Sequence, residues 1–213
     1  FEQVAGFFYP LYNGCTVTYL FSRKSATIVE TLQRHRVTMM VVVPIFLNVL
    51  REGMLREARA RGKEDFFLRM VKLAGRLPRP ARRILFRSVH KKLGGRLGTF
   101  ITGGSALDPD LETFWNNLGF LVLTGYGLTE ASPVVTLNTP AHHRAGSVGR
   151  CLPGQEIRLA AENEIWIRGP HVTPGYYENP AENAARFEDG WYKTGDIGEF
   201  DDDEYLYIRG RLK

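Results

Sequence analysis

The sequence of 213 residues has few cysteines and no long apolar run. Cys15 and Cys151 form no CxxC pair and no pair-rich framework, which favours a reducing, cytoplasmic setting. The apolar run from Met39 to Leu47 contains Pro44 and falls short of the roughly 20 residues that a membrane-spanning helix needs. No GxxxxGK[ST] phosphate loop, internal repeat or low-complexity tract occurs. These absences exclude a disulfide-rich secreted domain, a membrane-spanning segment and a P-loop nucleotidase.

The composition that remains is that of a globular protein. Hydrophobic residues make up 44% of the chain and charged residues 24%, which is enough apolar material for a sizeable core and excludes disorder. The length suggests one domain or two small ones. The chain opens at Phe1 without an initiator methionine and stops at Lys213 directly after a motif, so we expect an internal piece of a larger polypeptide.

Positive charge is concentrated in residues 51–96. This basic segment has 15 Lys or Arg against four Asp or Glu, whereas the rest of the chain has 13 against 19. Apolar residues recur in it at spacings of three and four, which predicts two amphipathic helices separated by Pro78 and Pro80.

Three interpretations of the basic segment remain open. The simplest is a solvated helical face whose cationic stems cover apolar surface. The second is peripheral contact with the inner face of an anionic membrane, which basic amphipathic helices favour. The third is an acidic ligand or carrier protein. We expect no nucleic-acid partner, because the segment lacks interleaved aromatic residues that stack bases and lacks zinc-finger spacing.

Strand-like and helix-like segments alternate in the first half of the chain. Residues 15–20 and 37–43 are predicted strands, the second fully buried, on either side of a helix over 26–36, which is the βαβ signature of a parallel sheet. Pro44 is expected to begin the next helix. Asp108 is expected to cap a helix that Gly119 ends, between strands at 98–102 and 120–123.

After about residue 133 the pattern changes to short strands punctuated by Gly and Pro. These predicted strands are 147–148, 156–159, 164–167 and 205–208. The sequence therefore predicts an α/β fold, a parallel sheet with flanking helices over residues 1–133 that includes the basic segment. A smaller β-rich subdomain is predicted over residues 134–213.

Four short motifs are expected in loops at strand ends, where open α/β sheets bind ligands. Gly103-Gly104-Ser105 could let the backbone approach a flat ligand, although a tight turn explains these residues equally well. In Gly125-Tyr126-Gly127-Leu128-Thr129-Glu130, a sharp turn could present the Tyr126 ring for stacking, Thr129 offers a hydroxyl, and Glu130 offers an oxygen ligand for Mg²⁺.

The other two motifs contain one acidic and one basic residue that could bind a ligand. Asp196 ends the motif Gly190-Trp191-Tyr192-Lys193-Thr194-Gly195-Asp196 and could accept two hydrogen bonds from a vicinal diol such as a ribose. Arg211, in Gly210-Arg211-Leu212-Lys213, could bind ribose or phosphate oxygens. Plain turns explain each motif separately. The pair His142-His143 is best explained as part of a polar loop.

Together, and in this order, the four motifs resemble those of the carboxylate-adenylating (AMP-forming) superfamily of acyl-CoA synthetases, peptide adenylation domains and firefly-type luciferases. The likeness covers nearly the whole chain, including residues 169–177. Because of the basic segment and residues 92–97 before the first glycine motif, the chain looks most like a long-chain fatty acid:CoA ligase.

The resemblance implies an enzyme that joins a carboxylate to ATP with release of pyrophosphate and then exchanges AMP for the thiol of coenzyme A. By likeness, Gly103, Gly104 and Ser105 line the adenine or acyl pocket, and Gly125, Tyr126 and Gly127 contact the adenine. Thr129 binds the α-phosphate, and Glu130 holds Mg²⁺. Asp196 and Arg211 bind the ribose, and Lys213 is the hinge of a small C-terminal domain.

The sequence departs from the family pattern at two points. Neither the phosphate loop ending in Pro-Lys-Gly nor the C-terminal lysine that assists adenylation is found in the sequence. We therefore predict that the isolated chain is inactive. Two alternatives remain: an adenylating enzyme for another acid or acceptor, such as acyl carrier protein, and a non-catalytic membrane-docking segment.

Overall fold

The computed structural model describes residues 3–22 and 24–212, which form two compact units. The first unit extends to Leu123 and the second begins at Thr124. Their elements confirm the predicted class, a parallel-containing sheet with flanking helices together with an antiparallel β-rich part. The limits 1–133 and 134–213, which rest on sequence texture, stay a prediction.

The first unit is mainly helical. Its helices are a π-helical turn (Val4–Phe8), α1 (Tyr9–Tyr12), α2 (Ser25–His35), α3 (Pro44–Ala60), α4 (Glu64–Ala74), α5 (Arg79–Leu85), α6 (Arg87–Lys92) and α7 (Pro109–Asn117). Its strands are β1 (Met39–Val42), β2 (Thr99–Thr102) and the beginning of β3 (Leu121–Tyr126), in that spatial order. β1 and β2 are parallel, with Met39 opposite Thr99.

Helix starts and ends in this unit follow the sequence signals. Pro44 lies in the first turn of α3, and the Asp108 carboxylate caps α7 by accepting hydrogen bonds from the N–H groups of Asp110 and Leu111. Gly119 follows α7 in the left-handed conformation at φ +92°, which L side chains rarely adopt. These three predictions are confirmed.

An aromatic cluster forms the centre of the first unit. The rings of Phe100, Trp115 and Phe120 lie with centroids 5.1–5.3 Å apart, and none of these side chains is more than 2% exposed. Burial of each such side chain stabilises the fold by about 1.5–3 kcal/mol. Phe100 is on β2, Trp115 is on α7 and Phe120 directly precedes β3, so the cluster packs α7 against this part of the sheet.

Three strand predictions are wrong in whole or in part. Residues 15–20 form no strand, because β-branched composition stabilises a strand only beside a paired neighbour. Residues 147–148 form no strand either. The Val148 N–H makes one backbone hydrogen bond, to the carbonyl of Leu206, and the next residue, Gly149, has φ +88°. The strand at 37–43 is shorter and less buried than expected, with Met39 50% exposed, because β1 is at the edge of the described sheet.

The second unit is built of short antiparallel strands. Its elements are the end of β3, a 3₁₀ turn (Thr129–Ala131), β4 (Thr136–Leu137), β5 (Arg150–Cys151), β6 (Glu156–Leu159), a 3₁₀ turn (Ala161–Asn163), β7 (Glu164–Arg168), α8 (Pro180–Arg186), β8 (Phe187–Glu188), β9 (Trp191–Phe200) and β10 (Leu206–Arg211). β4 lies between β3 and β5, while a second sheet has the order β10-β9-β7-β6, with β8 beside β9. The strands predicted at 156–159, 164–167 and 205–208 are confirmed as β6, β7 and β10.

The basic segment is helical, as predicted, but three of its arginines are bound to the protein's own backbone. Arg79 donates to the carbonyls of Gly98 and Gly119, Arg82 to those of Gly75, Leu77 and Asn116, and Arg83 to that of Leu97. The segment also has two more breaks than expected, since α3 ends at Ala60 before α4 begins at Glu64, and α5 and α6 meet at Phe86. No helix among the described residues is long and apolar enough to cross a membrane.

Candidate functional site

The motif Gly103-Gly104-Ser105 lies in the first unit, in the predicted loop after β2. Gly103 is buried, whereas Gly104 and Ser105 are exposed and Gly104 has φ +83°. Thr102, which ends β2, is 1% exposed, and its hydroxyl has no hydrogen-bond partner among the described residues. The loop therefore begins at a buried polar side chain and opens to solvent at its second glycine.

Tyr126 is the last residue of β3 in the second unit, so the predicted sharp turn around it is wrong. Gly125 and Tyr126 pair with Leu137 and Thr136 of β4. A Cβ atom at Gly125 would lie 2.9 Å from the carbonyl oxygen of Thr136, and one at Gly127 would lie 1.9 Å from that of Pro133. The two glycines are required because neighbouring backbone passes too close for a side chain.

Asp196 contacts both Tyr126 and Arg211. The Tyr126 hydroxyl donates to Asp196 Oδ2 at 2.8 Å, and Arg211 Nε lies 3.6 Å from Asp196 Oδ1. Asp196 is inside β9 and Arg211 ends β10, where the two are register partners. The prediction that these motifs form turns is wrong, because both lie on paired strands. Antiparallel pairing explains the contact, since opposite residues have Cβ atoms about 5 Å apart.

The backbone around Asp196 is irregular. Gly195 has φ +75°, and the register between β7 and β9 shifts in the interval between Glu164 and Trp166. The Gly195 N–H donates to Glu164 Oε1 at 2.9 Å, and the Asp196 N–H donates to the hydroxyl of Thr194 at 3.0 Å. Strand irregularities of this kind change the direction in which nearby side chains point. Here the side chain concerned is that of Asp196.

Glu130 follows the exposed Thr129 on the 3₁₀ turn and is bound by a tyrosine from a distant segment. The Tyr176 hydroxyl donates to Glu130 Oε1 at 2.7 Å and lies 2.9 Å from the Tyr192 hydroxyl. The backbone carbonyl of Glu130 accepts a hydrogen bond from the Thr173 N–H at 2.8 Å. Both the carboxylate and the backbone of Glu130 are therefore held by residues 173–176.

Both site tyrosines remain protonated hydrogen-bond donors around neutral pH. Burial is the main cause that raises the pKa of Tyr126, and the charge of Asp196 adds to it. Burial also raises the pKa of Tyr176, with further contributions from the hydrogen bonds to Tyr192 and Glu130. A neutral phenol next to a carboxylate orients it without adding charge.

The side chains present fit Mg²⁺ held jointly with a nucleotide. Glu130 provides a hard carboxylate whose Oε1 is fixed by Tyr176, and a carboxylate that accepts a hydrogen bond keeps further lone pairs for a cation. Among residues 3–22 and 24–212, no group of three or more His, Cys, Asp and Glu side chains could enclose a metal ion. Mg²⁺ commonly binds one or two carboxylates plus substrate phosphates, which matches this donor set.

Sequence reasoning missed three residues of this arrangement: Tyr176, Tyr192 and Glu164. Tyr192 lies within the motif at residues 190–196 and Tyr176 within residues 169–177, but nothing in the sequence shows that their hydroxyls meet. Glu164 was predicted only as the start of a strand. The predicted hinge, Lys213, lies outside the described residues.

Residues 1–177 match the family described as AMP-binding enzyme. Long-chain-fatty-acid–CoA ligase 1 of Schizosaccharomyces pombe is 34% identical over 203 residues, which covers 84% of this chain and 30% of that protein. The oxalate–CoA ligase of Arabidopsis thaliana is 44% identical over 108 residues, which covers 45% of this chain and 21% of that protein.

A similar fold occurs in the structure of o-succinylbenzoate coenzyme A synthetase from Bacillus subtilis in complex with AMP. The TM-score is 0.70 and the identity 24%, over 99% of this chain and 38% of the other. This likeness shows the fold. The chain spans less than a third of the length of the curated relatives that it matches.

Proposed function

Because the chain belongs to the family of AMP-binding enzymes, we propose that it is the nucleotide-binding part of an ATP-dependent ligase that joins a long-chain fatty acid to coenzyme A. The observation that carries the proposal is the contact of Asp196 with Tyr126 and Arg211. This contact brings together, within the second unit, the aromatic ring of Tyr126, the carboxylate of Asp196 with its two acceptor oxygens, and the guanidinium of Arg211. The fission-yeast relative, a long-chain-fatty-acid–CoA ligase, supports the choice of acid and acceptor.

Each side chain has a role that suits its chemistry. The two oxygens of Asp196 accept the two hydroxyls of the ribose, which Arg211 supports. Tyr126 contacts the adenine, Thr129 donates to the α-phosphate, and Gly103, Gly104 and Ser105 line the adenine or acyl pocket. Lys213 acts as the hinge.

The proposed reaction has two steps. A carboxylate oxygen of the fatty acid attacks the α-phosphorus of ATP, the bond to pyrophosphate breaks, and an acyl-adenylate forms. The sulfur of coenzyme A then attacks the acyl carbon, and AMP leaves with the bonding electrons. Glu130 would hold Mg²⁺, which supplies positive charge against the phosphates. The Thr129 hydroxyl stabilises negative charge at the α-phosphate as it develops.

The test is acid-dependent pyrophosphate and AMP release by the full-length protein, with Glu130→Gln beside the wild type. We expect release with long-chain acids, AMP formation that requires coenzyme A, and a loss of about 10- to 100-fold in Glu130→Gln. Glu204→Gln, which changes an exposed carboxylate in the same unit, is the matched control. Absence of release with every acid tested would contradict the proposal.

A ligase for another acid or acceptor is the second candidate, and the likeness to an oxalate–CoA ligase supports it. A panel of short, long, dicarboxylic and aromatic acids separates the two candidates. Replacing coenzyme A with acyl carrier protein tests the acceptor. A preference for a short or dicarboxylic acid would favour this second candidate.

The isolated chain of 213 residues is proposed to be inactive. It has no Pro-Lys-Gly phosphate loop. We expect no acyl-adenylate from it under conditions in which the full-length protein reacts. Adenylate formed by the purified chain alone would show that the family's phosphate loop is dispensable here.

Peripheral membrane contact by a cytoplasmic protein is a separate proposal for the basic segment. Phe66 and Leu73 on α4 are 65% and 57% exposed, and Ile84 on α5 is 75% exposed. The exposed cations Arg69 and Lys72 lie between Phe66 and Leu73 in the sequence of α4. Exposed apolar side chains interleaved with cations are typical of surfaces that bind anionic bilayers.

Co-sedimentation with anionic and neutral vesicles at two salt concentrations tests this contact. Phe66→Ser combined with Leu73→Ser should reduce sedimentation with anionic vesicles. Tyr177→Ser should not, although the Tyr177 side chain, in the other unit, is 90% exposed. Membrane binding without turnover in any assay would favour the non-catalytic docking segment. No binding to anionic vesicles at low salt would exclude membrane contact.

A further inference from the structure

The bond between Tyr176 and Glu130 has a defined direction. Tyr176 has one hydroxyl proton, and the carboxylate of Glu130 can only accept, so Tyr176 donates to Oε1 at 2.7 Å. The Tyr192 hydroxyl lies 2.9 Å from that of Tyr176 and interacts with Glu130 as well, so its proton can be donated to either. Tyr192, Tyr176 and Glu130 form a chain of hydrogen bonds that ends on the carboxylate. Such chains polarise one another, which strengthens the last bond.

Tyr176 is fixed through its backbone as well. Its N–H donates to Asn183 Oδ1 at 2.7 Å, and its carbonyl accepts from Asn183 Nδ2 at 3.0 Å. Gly175 precedes it at φ +153°, and a Cβ there would lie 3.1 Å from Asn183 Oδ1. The side chain of Asn183 on α8 therefore holds the backbone of Tyr176 from both sides.

The other end of the chain of hydrogen bonds is in the core of the second unit. Tyr192 is 4% exposed and belongs to the hydrophobic cluster of Ile165, Ile167 and Leu206. Phe187 packs against both tyrosines, with ring centroids 5.1 Å from Tyr192 and 6.3 Å from Tyr176. The two donors that lead to Glu130 thus have little freedom to move.

We propose that Tyr176, supported by Tyr192, is a positioning residue that orients the Glu130 carboxylate for the divalent cation that accompanies ATP. This inference rests on the proposed function, because it assumes that Glu130 serves that cation. Tyr176 fixes the carboxylate through Oε1, and the carboxylate keeps further lone pairs that can bind the cation. Without Tyr176 the glutamate side chain can turn about its own rotatable bonds, and it must lose that freedom each time the cation binds.

The experiment is calorimetric titration of ATP into the full-length protein, once with Mg²⁺ and once with a chelator, in the absence of acid substrate. The measured quantity is the factor by which Mg²⁺ tightens ATP binding. We expect Tyr176→Phe to reduce this factor by about 10- to 100-fold, as is common for partners of metal ligands. Binding of ATP without Mg²⁺ should be unchanged.

Tyr177→Phe is the matched control, because it removes a hydroxyl from the adjacent tyrosine, which is 90% exposed. Tyr192→Phe should cause a smaller loss in the same direction, since Tyr176 keeps its own bond to Oε1. If Tyr176→Phe lowers the melting temperature strongly, Tyr192→Phe decides the question instead.

The outcomes distinguish the inference from the function on which it rests. If Mg²⁺ does not tighten ATP binding to the wild type or to Glu130→Gln, the role of Glu130 in the proposed function fails. In a second outcome, Mg²⁺ no longer tightens ATP binding to Glu130→Gln, while Tyr176→Phe and Tyr192→Phe show the same tightening factor as Tyr177→Phe. That result would overturn the positioning role and leave the proposed function standing.

Discussion

Tyr126 and Asp196 are 70 positions apart in the sequence, and the hydroxyl of the first donates to Oδ2 of the second at 2.8 Å. Asp196 is about one-fifth exposed at its side chain, whereas Arg211, on its other side, is about three-quarters exposed. The bond to Tyr126 is therefore the better shielded of the two contacts. A partly buried hydrogen bond to a charged group is stronger than an ion pair in solvent, so Tyr126 should determine the orientation of Asp196 more than Arg211 does.

Tyr126→Phe should weaken ATP binding by about 3- to 10-fold, because a hydrogen bond to a carboxylate stabilises its orientation by roughly 1 kcal/mol or more. The aromatic ring is retained, so only the hydroxyl is tested. Calorimetric titration of the full-length protein measures the change. Tyr207→Phe is the matched control, since the Tyr207 hydroxyl makes a similar bond to Asp201 Oδ2 at 3.3 Å outside the candidate site. Equal effects of the two changes would contradict a role for Tyr126 in the site.

Asp196→Asn should reduce the protein's preference for a nucleotide with both ribose hydroxyls. An amide offers one acceptor oxygen in place of two, so one of the two hydroxyls loses its partner. The wild type should bind ATP about 10- to 100-fold more tightly than 2′,3′-dideoxy-ATP, and in the variant this ratio should fall to about 3- to 10-fold. The exposed Asp202→Asn serves as the control. An undiminished preference for ATP in Asp196→Asn would assign the ribose to another residue.

The helices and their ends could be predicted because their causes are local. The cap at Asp108 and the left-handed Gly119 depend on residues within a few positions of one another. The strand predicted at residues 15–20 failed because a strand depends on a neighbour, which the sequence does not show.

The candidate site could be predicted as a set of residues but not as an arrangement. The motifs indicated Tyr126, Glu130, Asp196 and Arg211, yet all were expected in loops. Asp196 and Arg211 meet because they are opposite each other on β9 and β10, and the irregular register between β7 and β9 at Gly195 shapes the strand beside them. Register depends on how whole strands pair, which short motifs do not determine. The tyrosines that reach Glu130 were missed for the same reason.

Arg82→Lys should destabilise the protein although it keeps the positive charge. The guanidinium donates to three carbonyl oxygens, of Leu77 at 2.7 Å, Gly75 at 2.8 Å and Asn116 at 3.0 Å. A lysine ammonium lacks the planar fork that reaches three acceptors at once. We expect a loss of about 1–3 kcal/mol in denaturant unfolding, since carbonyls in partly buried positions lose their donor. Arg87→Lys, at an exposed arginine of α6, should change stability by less; equal effects would mean that the contacts of Arg82 contribute little.

His90 should make the stability of the protein depend on pH below neutrality. It is 5% exposed, stacks on Phe120 with centroids 4.2 Å apart, and its Nε2 lies 2.9 Å from the carbonyl oxygen of Leu118. Burial, with smaller contributions from the charges of Arg83 and Arg79, lowers the pKa of His90 below its ordinary value of 6.5. The unfolded chain therefore takes up a proton near pH 6.5 that the folded chain resists, so stability is fully present above that pH and falls as the pH decreases below it. His90→Gln keeps a donor for Leu118 but cannot titrate, so its melting temperature should fall less than that of the wild type between pH 7.5 and 5.5. His35→Gln, at an exposed histidine, should follow the wild type; the same pH dependence in all three proteins would show that His90 is not the group responsible.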